Sequence, residues 1–124
     1  MDNVSNELIE LLKKYGRGYT LFKDGSIDTD WTLVSEMPHL TEEIILTYSD
    51  KLNWSLLSIH QRLSENIIRK FDDKIEWNLV SMDQELSEEL IKDYYHKINW
   101  NFLRINKNIK WNNNIEALEK MSKL

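Results

Sequence analysis

Cysteine is absent from this 124-residue chain, which holds only one proline and three glycines. Without cysteine, the chain has no disulfide bond, no thiolate nucleophile and no cysteine-ligated zinc site. No apolar run approaches the roughly 20 residues that a membrane-spanning helix needs, and the polar first residues lack the basic and apolar segments of a signal peptide. These absences predict a cytoplasmic protein that does not enter a membrane.

Catalytic and metal-binding motifs are also missing. The histidines, His39, His60 and His96, follow the nearest preceding tryptophan by eight, six and 19 residues, and so share no common spacing. The acidic pairs Glu42-Glu43 and Glu88-Glu89 stand where helices are expected to begin, and carboxylates there offset the positive end of the helix dipole. The sequence therefore predicts a protein that is not an enzyme and that holds no cofactor and no metal.

Most of the sequence consists of repeats of 23 residues, and each repeat begins with a tryptophan. Residues 54–76 and 77–99 are identical at ten of 23 positions, which indicates duplication. The leading residues are Trp31, Trp54, Trp77 and Trp100. We therefore predict a single domain over residues 1–124, with 1–30 as N-terminal cap, repeats at 31–53, 54–76 and 77–99, and 100–124 as a degenerate repeat and C-terminal cap.

Each repeat carries signals for two short helices. A polar residue precedes each tryptophan, and Asp30, Asn53 and Asn99 are good N-caps for a first helix of one to two turns. A Ser-Glu or Thr-Glu pair ten residues after the tryptophan predicts the start of a second helix of about nine to ten residues. Helices this short are marginal alone, so the expected fold is mainly all-α, with the two-helix repeats stacked as a small α-solenoid.

Both ends depart from the repeat. Apolar residues on one face predict a helix from Asn3 to Tyr15, and Gly16 follows it as a stop signal. The segments 19–22 and 26–28 flank Lys23-Asp24-Gly25, which indicates a small β-hairpin. At the other end, a last helix is expected from Asn114 to Ser122.

The tryptophans and the lysines that recur once per repeat each fit two roles, nucleic-acid binding and a structural role. One tryptophan per repeat suits stacking on nucleobases, but the apolar residues two and three positions later favour a role in core packing. One lysine per repeat suits contact with a phosphate backbone, although lysine at the end of a helix also offsets the dipole. The alternative nucleic-acid-binding residues are Lys51, Lys74, Lys97 and Lys120.

The amino-acid sequence of the loop between the two helices differs from one repeat to the next, while the sequences of the helices are more uniform. A regular frame that presents varied side chains along one edge is how many repeat proteins bind partners. Carboxylates at the starts of the second helices extend that edge. The candidate partner-binding residues are Glu42, Glu43, His60, Gln61, Arg62, Glu65, Asp83, Gln84, Glu85, Glu88 and Glu89.

The sequence Asp-Lys-Leu-Asn-Trp-Ser-Leu-Leu-Ser at 50–58, followed by Leu63-Ser64-Glu65 and Ile67-Ile68, resembles tandem repeats in uncharacterised proteins of bacteriophages and large DNA viruses. The resemblance covers about residues 29–109. It brings no catalytic motif, and it implies a viral protein that acts by contact.

Our leading hypothesis is therefore a non-enzymatic protein-binding module, encoded by a phage and active in the cytoplasm of a bacterial host. Its expected partner is a host protein or ribonucleoprotein effector, such as an antiviral defence complex, which it would inhibit as an anti-CRISPR protein does. A helical repeat protein that binds RNA or DNA through the lysine and tryptophan rows is the alternative.

Overall fold

The computed structural model describes residues 6–16, 19–38 and 40–124. Over these residues the chain is mainly helical, with nine helices and one two-stranded antiparallel sheet. None of the described helices is long and apolar enough to cross a membrane. The elements are α1 (Asn6–Tyr15), β1 (Tyr19–Leu21), β2 (Ile27–Thr29), α2 (Trp31–Glu36), α3 (Glu42–Thr47), α4 (Trp54–His60), α5 (Glu65–Lys70), α6 (Trp77–Asp83), α7 (Glu88–Asp93), α8 (Trp100–Ile105) and α9 (Asn113–Ser122).

The first helix of each repeat begins at its tryptophan, as predicted. The side chains of Asp30, Asn53 and Asn99 accept hydrogen bonds from backbone N–H groups three residues later, at 3.0 to 3.2 Å. Glu76 precedes α6 and makes no side-chain cap bond. These helices are six or seven residues long, which confirms the expected one to two turns.

The second helices start as predicted but are shorter than the nine to ten residues expected. Thr41, Ser64 and Ser87 cap them through their hydroxyl oxygens, and each helix is six residues long. After α3 the backbone leaves the helical conformation at Tyr48, whose carbonyl then accepts from Leu52 N at 3.1 Å. The helix ends there because this turn places the Tyr48 ring against Trp31, with centroids 4.9 Å apart.

The core consists of apolar residues at equivalent positions of the repeats. The residue three after each tryptophan, Val34, Leu57, Val80 or Leu103, is completely buried. Trp54 and Trp100 are also buried, with 8% and 9% of their surface exposed, which confirms the core-packing interpretation for these two rings. The indole N–H groups of Trp54, Trp77 and Trp100 donate to the carbonyl five residues earlier, at 2.9 to 3.0 Å.

The chain divides into two compact units, Met1–Gln61 and Arg62–Leu124, and the division falls inside the second repeat. In the first unit α2 packs against α4, and the hairpin pairs Tyr19 with Thr29. In the second unit α6 packs against α8, and α7 packs against α9.

The predicted hairpin is confirmed, with its turn at Asp24 and Gly25, where Gly25 has a φ of 88°. The single-domain organisation and the α-solenoid stay predictions.

An ion-pair cluster closes the last repeat, where Arg104 stands in place of the serine of the earlier repeats. Its guanidinium donates to Glu119 at 2.6 and 2.9 Å, pairs with Glu116 at 3.3 Å and lies 4.5 Å from the centroid of the Trp111 ring. The Glu119 side chain is 6% exposed. These contacts join α8 to α9, the helix expected at 114–122 and found one residue longer.

The segment before Asn6, where the predicted first helix begins, lies outside the described residues, as do residues 17, 18 and 39.

Candidate protein-binding groove

Two of the predicted partner-binding residues are structural, because their side chains are buried in the loops between helices. In the first unit Gln61 is 5% exposed. Its Oε1 accepts from the Leu40 N–H at 3.3 Å, and its Nε2 donates to the carbonyls of Ser35 and Met37. Gln61 thus satisfies backbone groups of the preceding repeat and is not available to a partner.

The second unit repeats this arrangement. Gln84 is 3% exposed and accepts from the Leu63 N–H at 2.9 Å. Asn106, at the corresponding loop of the last repeat, donates to the carbonyls of Ser81 and Gln84, both at 2.9 Å. The expectation that Gln84 lies on an exposed edge is therefore wrong, as it is for Gln61. The sequence carried a signal for this role, since Gln stands seven residues after tryptophan in both repeats.

A row of buried serines joins the two ends of each repeat. Ser81 Oγ donates to the Trp77 carbonyl at 2.6 Å and accepts from the Asn99 N–H at 3.0 Å. In the first unit Ser35 makes the same bonds to Trp31 and Asn53, at 2.7 and 2.8 Å. Each of these hydroxyls therefore fixes the start of the next first helix against the helix before it.

A groove of about 750 Å³ lies in the second unit, along the starts of the second helices of three consecutive repeats. Leu63, Leu86 and Ile115 form a buried apolar floor, with 3 to 6% of their surface exposed. Charged side chains surround it. The structure thus brings together four of the predicted binding residues and adds a cation that sequence reasoning missed: Arg62, Glu65, Glu85, Glu88 and Lys110.

The charges around the groove differ in their partners. Arg62 and Glu85 form an ion pair of 3.8 Å whose side chains are 69% and 74% exposed. Glu65 accepts a hydrogen bond from the Ser87 hydroxyl. Among the residues that the structure describes, Glu88 and Lys110 have no hydrogen-bond or ion-pair partner. The groove therefore presents one carboxylate and one ammonium group that are open to a ligand.

The remaining predicted residues lie outside this groove. Glu89 and Asp83 are exposed in the second unit, while Glu42, Glu43 and His60 are exposed in the first. Their role in partner binding stays a prediction.

A smaller cavity of about 610 Å³ in the first unit lies between α1 and the start of α3. Thr41 Oγ1 donates there to Glu7 of α1 at 3.1 Å, and Ser87 makes the equivalent bond to Glu65 in the second unit. Glu7 of α1 therefore bonds to the N-cap of α3 in the same way as Glu65 of α5 bonds to the N-cap of α7. Sequence reasoning missed Glu7 because α1 does not follow the 23-residue period.

The alternative nucleic-acid-binding residues are exposed, but two rings of the tryptophan row are buried. Lys51, Lys74, Lys97 and Lys120 all lie at the surface. Trp54 and Trp100 are buried, so their rings present no face on which a base can stack. Trp31 and Trp77 are half-buried, and their rings pack against Tyr48 and Tyr94. Besides the lysines, this row therefore offers only two partly exposed rings.

The described residues contain no group of three or more His, Asp and Glu placed to hold a metal ion. His60 and His96 are exposed, and the His96 ring lies 3.9 Å from that of Tyr95, measured between centroids.

Comparison with protein-family models, with curated proteins and with solved structures finds no match to this chain. The resemblance to viral repeats, and the phage origin that it implies, therefore stay predictions.

Proposed function

We propose that this protein is a non-enzymatic module that binds another protein through the second-helix starts of its repeats. The groove of the second unit is the observation that supports this proposal. Buried serines and amides, such as Ser81 and Gln84, hold the frame, while charged side chains converge around an apolar floor. An apolar centre with a polar rim is the usual anatomy of a protein interface.

The exposed carboxylates favour a partner with a basic surface. The chain carries a net charge of −5 at pH 7, and its second-helix starts hold five exposed glutamates. Complementary charge speeds association and selects partners. The partner proposed is a host effector that binds nucleic acid, such as an antiviral defence complex, with this protein as a phage-encoded, anti-CRISPR-like inhibitor that occupies its basic groove. The glutamates are Glu42, Glu43, Glu65, Glu88 and Glu89.

The test is capture of a partner from a bacterial lysate that is divided into nuclease-treated and untreated halves. We expect a protein to be retained in stoichiometric amount after nuclease treatment. Recovery of RNA or DNA alone, lost on nuclease treatment, would reject protein binding and support the alternative function through Lys51, Lys74, Lys97 and Lys120.

Charge reversal then tests the acidic surface with the captured protein. A triple variant with lysine at Glu65, Glu88 and Glu89 is expected to bind about tenfold more weakly, because like charges oppose a basic partner. The matched control places lysine at the exposed Asp28, Asp50 and Asp73, which changes the net charge equally away from these helix starts. Equal affinity of the two variants would show that the glutamates are not the contact.

A further inference from the structure

We infer that the groove of the second unit binds an extended peptide segment with apolar residues at alternate positions and with one basic and one acidic side chain about three residues apart. This inference rests on the proposed function and specifies the chemistry of the partner. The carboxylate and the ammonium group without partners, Glu88 and Lys110, belong to consecutive repeats and define the two charged positions.

The dimensions of the groove fit an extended chain. Three consecutive repeats contribute to it, through residues 62–65, 85–88 and 108–115. Packed helices lie about 8 to 10 Å apart, so three helix starts span roughly 20 Å, which an extended peptide covers in about six residues at about 3.3 Å each. A helix in the same place would cover that distance only with about 13 residues, at 1.5 Å each, and is about 10 Å wide.

The floor of the groove suits alternate side chains of such a peptide. Leu63 and Leu86 are equivalent residues of two repeats, and Ile109 takes the same place in the next one. An extended chain directs every second side chain to one side, so apolar side chains pointing down meet this floor while the others face solvent. The floor therefore selects apolar residues at alternate positions.

The charges set the order of the peptide's side chains. Glu88 follows its tryptophan by 11 residues and Lys110 follows its own by ten, so they stand about one repeat apart along the groove. That distance corresponds to about three extended residues. Arg62 and Glu85 are already matched with each other in an exposed ion pair, so the order of charges in the peptide is set by Glu88 and Lys110.

Fluorescein-labelled peptide pools test the inference on the full chain. Each nonapeptide pool has two variable positions about three residues apart near its centre, with leucine at alternate positions of the rest. The pools differ only at the two variable positions: Lys before Glu, Glu before Lys, or Gln at both. Fluorescence anisotropy is expected to show one charged pool binding at least about tenfold more tightly than the other two. Equal binding of the three pools, or no binding, would overturn the inference.

A charge-swapped variant makes the test specific to the groove. Glu88→Lys combined with Lys110→Glu keeps the net charge and is expected to invert the preference between the two charged pools. The matched control, Asp28→Lys with Lys23→Asp in the hairpin region, is expected to keep the preference of the unaltered chain. A preference that the groove swap leaves unchanged would overturn the inference. If lysine at the start of α7 lowers stability, Glu88→Gln serves instead and is expected to abolish the preference.

Capture from lysate with the unaltered and the groove-swapped chains distinguishes failure of this inference from failure of the proposed function. Capture by the unaltered chain but not by the groove-swapped chain supports both. Capture by both chains overturns the groove and leaves protein binding intact. If neither chain captures a protein, the proposed function fails, and the peptide pools still decide whether the groove binds.

Discussion

At the scale of single residues, side-chain amides and hydroxyls complete the backbone hydrogen bonds of the loops. A loop between two short helices leaves several N–H and C=O groups without helical partners, and buried groups of this kind cost free energy unless they are bonded. Gln84 supplies an acceptor to Leu63, and Asn106 supplies donors to Ser81 and Gln84. The loops can therefore be buried without losing hydrogen bonds.

Gln84→Ala should lower the free energy of unfolding by about 1–3 kcal/mol, because the buried Leu63 N–H loses its acceptor. Urea unfolding followed by circular dichroism measures the change. Asp83→Ala, one residue earlier and exposed, is the control and should change stability by less than about 0.5 kcal/mol. Equal effects of the two substitutions would mean that the amide has no special structural role.

Sequence reasoning succeeded for residues whose role depends on local chemistry. Asn53 as an N-cap is determined by its own neighbours, so its position could be predicted. Gln61 and Gln84 bond to residues more than 20 positions earlier, and no local pattern reveals such a partner. Lys110 was missed for a related reason, because the last repeat lacks the Ser-Glu pair that marks the other groove residues.

At the scale of helices, the contact between α8 and α9 depends on one charged cluster. Hydrogen bonds from Arg104 lower the pKa of the Glu119 carboxyl. A group whose pKa is lower in the folded state contributes stability above its unfolded pKa, about 4.3 to 4.5, and this contribution is lost as the pH falls through the folded pKa. The junction of the two helices should therefore weaken in acid.

Glu119→Gln should destabilise the protein by about 1–3 kcal/mol at pH 7, because the charge-assisted bonds with Arg104 are lost. The difference from the unaltered chain should shrink at pH 3, because that pH lies below the unfolded pKa of the carboxyl and the unfolded chain is then stabilised by protonation. Urea unfolding at both pH values measures the difference, with Glu10→Gln, at an exposed position within α1, as control. A difference that is the same at both pH values would contradict the assignment of this pKa shift.

The second helices show where a repeat pattern misleads. The apolar spacing that ends at Tyr48 continues past the helix, because a turn can bury the aromatic ring as well as a further helical turn can. Periodicity reports which residues are buried and leaves the position of the helix end undetermined. The helix starts could be predicted because Thr41, Ser64 and Ser87 mark them chemically.

At the scale of the whole molecule, the distribution of charge distinguishes protein binding from nucleic-acid binding. The chain is net acidic, which disfavours contact with a phosphate backbone, yet its lysine row is exposed. Protein binding at the second-helix starts and nucleic-acid binding at the lysines use different side chains. Variants of one set should therefore leave the other activity unchanged.

Lys51, Lys74 and Lys97 changed together to alanine should leave affinity for the captured protein within about twofold, because these lysines do not line the groove. The unaltered chain should also show no salt-dependent binding to single-stranded RNA in anisotropy measurements. RNA binding whose affinity and salt dependence both fall in the triple variant would support the nucleic-acid function and reject the proposed protein-binding function.

The serine and amide contacts also determine how a chain of this kind can change length. The bonds from Gln84 and Asn106 reach the preceding repeat, and the bond from Ser81 holds Asn99, the last residue of its own repeat and the N-cap of the next first helix. A gene segment that encodes a whole repeat brings along the donors and acceptors its neighbours need, whereas an insertion of any other size leaves buried groups without partners. Evolution can therefore lengthen or shorten this protein in steps of 23 residues, which accounts for the equal spacing of four tryptophans in an otherwise divergent sequence.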